Sequence, residues 1–238
     1  MLNPRKILVI RFSSLGDLVL TTPIFRELKR FYPDAEITLL TSSGLGSVLD
    51  NNPQIDHVIM HSRKETRMQL KFLIQNLRKE KYDLIYDAHR SLRSIWIVWN
   101  LSGFGILKKP EVWSINKRSW QRSLLIRLKL NLLKKTDPQR LHLLRPLQTH
   151  TNLELHNQTE LFPDKSAILR TQEFLKKHNL QPKQFVAIGP SASYPLKCWP
   201  LEYFQVLISN LLEQGWHVVL VGAADEKETA QLEEEFSG

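Results

Sequence analysis

Residues 6–18 read Lys6-Ile7-Leu8-Val9-Ile10-Arg11-Phe12-Ser13-Ser14-Leu15-Gly16-Asp17-Leu18. The run over 6–12 is short, apolar and rich in β-branched residues. Strict alternation is missing, as in a parallel strand covered on both faces. After the polar loop, Leu20, Ile24, Leu28 and Phe31 recur at helical spacing. Pro23 falls inside that pattern and predicts a kink or a late helix start. Tyr32-Pro33-Asp34 closes the unit, and 35–41 reads as the next strand.

The alternation continues outward. Residues 55–61 read as a strand, and Leu70, Leu73, Ile74 and Leu77 mark a helix with a basic outer face. Residues 82–87 read as a strand and 91–101 as a helix. Strands alternating with helices imply a parallel sheet covered on both faces. Such sheets bind ligands at the carboxyl ends of their strands.

From 108 to about 159 the rhythm breaks. A basic helix is expected over 118–135, with Trp120, Leu124, Leu128 and Leu132 on one face. Residues 136–163 are more polar and carry Pro138, Pro146 and Pro163. The domain boundary is placed there, giving domains 1–160 and 161–238. A helix over 165–178 leads to a second first-strand signal at 184–190. A loop over 191–199 follows, then a helix with Pro200 at its first position. Leu201, Phe204, Ile208, Leu211 and Leu212 form its buried stripe, and Gly215 is its stop. A strand over 217–221, a turn at Gly222 and an acidic helix over 225–236 complete the pattern. The second domain therefore reads as a β-α-β-α piece, too small a sheet to be self-sufficient.

Bulk properties are those of a folded protein. Of 238 residues, 42% are hydrophobic and 24% charged, which excludes extensive disorder. A net charge of +9 favours anionic partners: nucleic acid, phosphorylated small molecules or an acidic membrane face. The lone Cys198 forms no internal disulfide. The first residues lack a signal-peptide layout. The longest uncharged stretch, 94–107, is shorter than the ~20 residues of a membrane helix. A cytoplasmic protein is expected. The eight histidines show no ligand spacing, and no D-x-D argues for a metal held by paired carboxylates.

Three loops carry candidate chemistry. Asp17 stands past the first strand at a helix start, where the dipole favours a carboxylate. It can accept a proton from a hydroxyl nucleophile or serve only as an N-cap. Gly16 before it points to a tight turn or to close ligand approach. The second loop runs Gly189-Pro190-Ser191-Ala192-Ser193-Tyr194-Pro195-Leu196-Lys197-Cys198-Trp199-Pro200. Backbone N–H groups at the helix it opens can hold a phosphate, and Lys197 can neutralise a leaving diphosphate; a solvated surface loop is the alternative. The third, Gly222-Ala223-Ala224-Asp225-Glu226, places acids where ribose hydroxyls bind in dinucleotide folds. It is equally a favourable first helical turn. Basic clusters at Arg63-Lys64 with Arg67, at Arg90 with Arg93, and along 117–135 face an anionic acceptor, lipid headgroups or simply water. No nucleic-acid motif accompanies them.

In this order the segments 6–23, 82–94, 189–200 and 221–226 resemble the heptosyltransferases of lipopolysaccharide core assembly, glycosyltransferase family 9. The resemblance implies an α/β fold of GT-B type, with two Rossmann-like domains built on parallel sheets. It implies an acceptor-side domain over 1–160 and the start of a nucleotide-sugar domain over 161–238. The family pattern continues past Gly238 with an Asp-Ser/Thr-Gly and a His, so the second domain is expected to be incomplete. By resemblance Asp17 is the general base. Ser191, Ser193, Lys197 and Glu226 bind the donor, and Ser14, Gly16, Arg63, Lys64 and Arg93 the acceptor. The implied reaction is metal-independent inverting transfer of heptose from ADP-heptose to an anionic lipopolysaccharide core, with peripheral contact to the inner membrane and no nucleic acid. The alternative is a non-catalytic fragment that binds anionic glycolipid or nucleotide sugar.

Overall fold

The structure, a computed structural model, describes residues 3–62, 64, 66–103, 109–117, 119–130, 138–151, 154–192, 194–223 and 225–236. The chain divides into two compact units, 1–163 and 164–238.

In the first unit β1 (Lys6–Ile10) leads through α1 (Leu15–Val19) and α2 (Thr22–Phe31) to β2 (Glu36–Ser42). A short 3-10 turn precedes β3 (His57–His61), and α3 (Arg67–Glu80) returns the chain to β4 (Leu84–Asp87). Next come α4 (Leu92–Ser102), β5 (Glu111–Ser114), α5 (Ser119–Leu128) and α6 (Gln139–Thr151). The five strands are all parallel, in the order β3-β2-β1-β4-β5.

The unbroken apolar run of β1 is now explained. Ile7 and Val9 point to one side, into a core shared with Phe25 and Leu28 of α2 and Leu143 and Leu147 of α6. Leu8, Ile10 and Phe12 point to the other, where Ile74 and Leu77 of α3 meet Ile97 and Leu101 of α4. Both layers exclude water, so neither face of β1 has room for a polar residue. Pro23 splits the expected helix in two: α1 ends at Val19, and α2 restarts with Pro23 in its first turn, where a missing N–H costs nothing.

Three expectations are corrected. The segment after 108 contains a strand, β5, paired to β4 from Leu84↔Glu111 to Asp87↔Ser114. The polar stretch after 136 contains α6, with Pro146 inside it and Leu143, Leu144 and Leu147 buried. The basic helix stops at Leu128, followed by Lys129 at φ +56°; Leu132 lies outside the described residues. A strap over 154–160 then ties back onto α2. Glu160 N–H donates to Thr22 Oγ1 at 2.9 Å, Arg26 pairs with Glu160, and Arg30 donates to the Glu154 carbonyl at 2.9 Å.

In the second unit α7 (Lys165–Lys177) starts from an Asp164 N-cap, whose Oδ1 accepts from Ala167 N–H. Then come β6 (Phe185–Ile188), α8 (Leu201–Glu213), β7 (His217–Leu220) and α9 (Lys227–Phe236). β6 and β7 pair in parallel, and Ile188, Ile208 and Leu232 centre a small separate core. Pro200 was expected at the first helical position of α8 but is its N-cap, one residue earlier. Gly215 has φ +80°, the left-handed conformation that suits its place just past a helix end. Among the described residues, no helix is long and apolar enough to cross a membrane.

Candidate active site at the carboxyl ends of the strands

In the first unit the strand order reverses at β1 and β4: from β1 the chain builds toward β2 and β3, and from β4 toward β5. Such a switch point opens a crevice at the carboxyl ends of the two strands. The residues that follow β1 and β4 meet there.

Arg11 is the first of them and is buried. Its Nη1 donates to the Ala88 carbonyl at 2.6 Å, crossing from β1 to the loop after β4. Its Nη2 lies 2.7 Å from Asp17 Oδ2. Burial pulls the Arg11 pKa down, opposed by the charges of Asp17 and Asp87; a guanidinium remains charged in any case. Nothing singled out Arg11 at the sequence level, although a cation inside an otherwise apolar strand run was a signal.

Asp17 is not an N-cap. That position belongs to Ser14, and Asp17 sits three residues on, closing a capping box. Its Oδ2 accepts from Ser14 N–H and Ser14 Oγ, both at 3.1 Å, and from Arg11. Those contacts all fall on Oδ2, and the Asp17 side chain is about one-third exposed. Burial pushes the Asp17 pKa up, but the Ser14 amide, the Arg11 charge and the Ser14 hydroxyl outweigh it. The net shift is downward, so the carboxylate is ionised at neutral pH. Gly16 is an ordinary helical residue in α1 with open space where a Cβ would stand, so no tight turn requires it.

Across the crevice Asp87, fully buried, organises the loop after β4. Its Oδ1 accepts from the N–H groups of His89 (3.0 Å) and Arg90 (2.7 Å), and its Oδ2 from Ser94 Oγ (3.0 Å). Ser94 also completes the capping box of Ser91 at the start of α4. Ser94→Ala is therefore expected to leave a buried carboxylate oxygen short of a donor. The cost is about 1–3 kcal/mol, read as a lower denaturant midpoint with unchanged m-value.

Two of the predicted basic residues, Lys64 and Arg93, lie at the same edge. The Arg93 guanidinium donates to the Ser62 carbonyl at 3.3 Å, joining the start of α4 to the loop after β3. Lys64 is exposed on that loop, its N–H held by Ser62 Oγ at 3.2 Å. Arg63 lies outside the described residues. Phe12 packs against both His61 and His89, with ring centroids 6.5 and 5.4 Å away.

The second unit carries the donor-side candidates. Ser191, in the loop after β6, donates to Glu228 Oε2 at 3.1 Å. Glu226 is half-buried at the N-cap position of α9, and its Oε2 accepts from Thr229 Oγ1 at 3.3 Å. A Cβ on Gly222 would strike both the Thr229 hydroxyl and the Glu226 carboxylate, so a larger residue there would have to push these side chains aside. A cavity of about 640 Å³ includes Gly222, Glu226 and Thr229 in its wall together with Leu180, Val218 and Leu232. Ser191 and Lys197 do not line it. Lys197 is exposed in a 3-10 turn, its Nζ 5.4 Å from the centre of the Tyr194 ring. Ser193 lies outside the described residues. The acidic helix begins at Lys227, two residues later than expected, and Glu228 was missed. Among the described residues, no group of three or more His, Cys, Asp or Glu side chains is placed to hold a metal ion.

Comparison with known proteins bears on this geometry. The pattern of glycosyltransferase family 9 (heptosyltransferase) matches residues 71–237. Lipopolysaccharide heptosyltransferase 3 of Escherichia coli is 28% identical over 233 residues, which cover 94% of this chain and 65% of that protein. Lipopolysaccharide heptosyltransferase 2 of Escherichia coli K12 is 24% identical, again over 94% of this chain and 65% of its own. The chain thus spans just under two thirds of the length of these curated relatives. Among solved structures, the family 9 glycosyl transferase of Veillonella parvula superposes with a TM-score of 0.75 at 22% identity, covering 98% of this chain and 66% of that one. Escherichia coli heptosyltransferase WaaC with ADP-2-deoxy-2-fluoro heptose gives a TM-score of 0.65 at 19% identity, covering 98% and 74%. At these identities the likeness shows the fold, which is the GT-B class expected from the sequence.

Proposed function

Since the chain belongs to glycosyltransferase family 9, the heptosyltransferases, we propose that it transfers heptose from ADP-heptose to the inner core of lipopolysaccharide. The observation that carries the reading is the Asp17 carboxylate. It is ionised, held on one oxygen by Arg11 and Ser14, and set at the switch point where a sheet of this kind binds its ligand. A sugar hydroxyl placed at Oδ1 gives its proton to Asp17 as its oxygen bonds to the anomeric carbon. The bond from that carbon to the diphosphate oxygen breaks on the opposite face, ADP leaves with the electron pair, and the configuration inverts.

In this reading residues 1–160 take the acceptor and 161–238 begin the donor domain. Ser14, Gly16, Arg63, Lys64 and Arg93 bind the acceptor, where cations suit a phosphorylated core. Ser191, Ser193 and Lys197 meet the diphosphate, and Glu226 the ribose hydroxyls. The diphosphate charge is met by Lys197 and backbone N–H groups, without a metal. The protein works in the cytoplasm, at the inner face of the inner membrane where its acceptor is anchored, and does not bind nucleic acid.

The test is turnover. ADP release from ADP-heptose, with a Kdo- or heptose-bearing core as acceptor, is expected to be equal in EDTA and in Mg²⁺, with an inverted anomeric centre by NMR. Release that needs Mg²⁺ overturns the metal-independent step. Donor binding without release supports the non-catalytic alternative.

A further inference from the structure

α3 and α4 lie side by side on one face of the sheet. Ile74, Leu77, Ile97 and Leu101 share one core, and the Arg78 guanidinium donates to the Asn100 carbonyl at 3.0 and 2.9 Å. The inward side of α4 is accounted for by Ser94, Ile97 and Leu101, all buried. Its outward side is not polar. Leu92 (88% exposed), Ile95, Trp96 and Trp99 (58%) recur at helical spacing on a single stripe. The two tryptophan rings stack on each other at 5.4 Å. On α3, Met68 (80%) and Phe72 (64%) stand one turn apart, also in the open. A helix facing water alone selects the opposite pattern.

Among the described residues, the charges exposed around this surface and not paired elsewhere are basic. Arg67 and Lys71 on α3 and Arg90 ahead of α4 are exposed. Between 66 and 102 the acids are Glu80, Asp83 and Asp87. Glu80 is bonded to Lys6, Asp83 accepts the N–H groups of Arg5 and Lys6, and Asp87 is buried. None of these three offsets the basic rim, and Glu65, just ahead of α3, lies outside the described residues.

We propose that the outward faces of α3 and α4 form a docking surface that seats the first unit on an anionic lipid bilayer. Tryptophan and aliphatic side chains enter the headgroup boundary, and the arginine and lysine rim meets lipid phosphates. A second copy fits less well, because a two-fold contact would set the same basic rim against itself. The starts of α3 and α4 lie at the carboxyl edge of the sheet, the edge that carries Asp17 and Asp87. A bilayer at this face therefore borders the crevice, as a lipid-anchored acceptor requires. The proposal rests on the reading above only for that last link.

The test needs neither donor nor acceptor, so it stands or falls apart from sugar transfer. The chain is floated with vesicles of phosphatidylcholine alone and of phosphatidylcholine with 25% phosphatidylglycerol. Binding is expected to the anionic vesicles and to weaken in high salt. Trp96→Ser with Trp99→Ser is expected to cut partitioning at least tenfold, and Lys71→Glu at least about fivefold. The thermal midpoint should stay put, since these side chains are exposed. Variants that bind anionic vesicles as well as the unaltered chain overturn the proposal. So does a chain that ignores vesicles and sediments as a dimer disrupted by Trp99→Ser.

Discussion

Replacing Asp17 with alanine is expected to lower kcat for sugar transfer by about 10²–10⁴-fold while donor affinity holds. That is the usual weight of a positioned acid or base. Asp17→Asn should be nearly as damaging, because the amide keeps the shape but cannot take the proton. Loss of donor binding together with turnover would instead give Asp17 a purely structural role. The pH profile adds a sharper check. The amide of Ser14 and the charge of Arg11 outweigh burial and hold the Asp17 pKa below its ordinary value. The acid limb of kcat should therefore fall below the usual carboxylate value of about 4. Arg11→Met removes one of those lowering influences and should move the limb upward. The same sign governs stability. A carboxyl depressed on folding contributes above its unfolded pKa, and that contribution fades as pH falls through the folded value.

The largest expected loss of stability is at Tyr86. Its side chain is fully buried, packed edge-on against Trp113 at 6.2 Å, and its hydroxyl donates to the Leu143 carbonyl at 2.6 Å. Burial pushes its pKa up, so it acts as a donor at any ordinary pH. Tyr86→Ala should cost about 3–5 kcal/mol, the range for truncating a buried aromatic. For a unit of this size, that is a melting midpoint lower by roughly 6–20 °C. Tyr86→Phe keeps the ring and forfeits only the bond to Leu143, so about 1–3 kcal/mol is expected. A phenylalanine variant as unstable as the alanine one would mean that the tie to α6, rather than the filled core, is what matters.

That tie shows where the sequence was opaque. Repeated strand–helix units were legible through β4 because each strand is apolar on both faces and each helix carries a stripe. β5 was missed because its four residues bury Trp113 but leave Val112 partly open, too short an alternation to stand out. α6 was missed because Pro146 reads as a helix breaker. The clue was Leu143, Leu144 and Leu147, whose spacing marks a buried stripe despite the proline. At the site, Asp17 could be placed at the end of β1 from the order of residues alone. Its partner Arg11 could not, because the ion pair depends on how the loop folds back over the strand. Asp87 and Ser94 were hidden likewise: a short polar pair next to a strand looks like any helix start until both side chains prove buried.

The Arg11 guanidinium also bears on the end of the proposed transfer. It is closed off from water, and the Asp17 carboxylate is its directly contacting counter-charge. In the proposed transfer, uptake of the acceptor's proton by Asp17 removes that neutralisation while the cation stays in place. A buried charge so exposed is costly, and the cost falls on the protonated enzyme rather than on the resting one. The acquired proton is thus poorly retained and is passed on to water. In that reading, regeneration of the carboxylate is a downhill step at neutral pH.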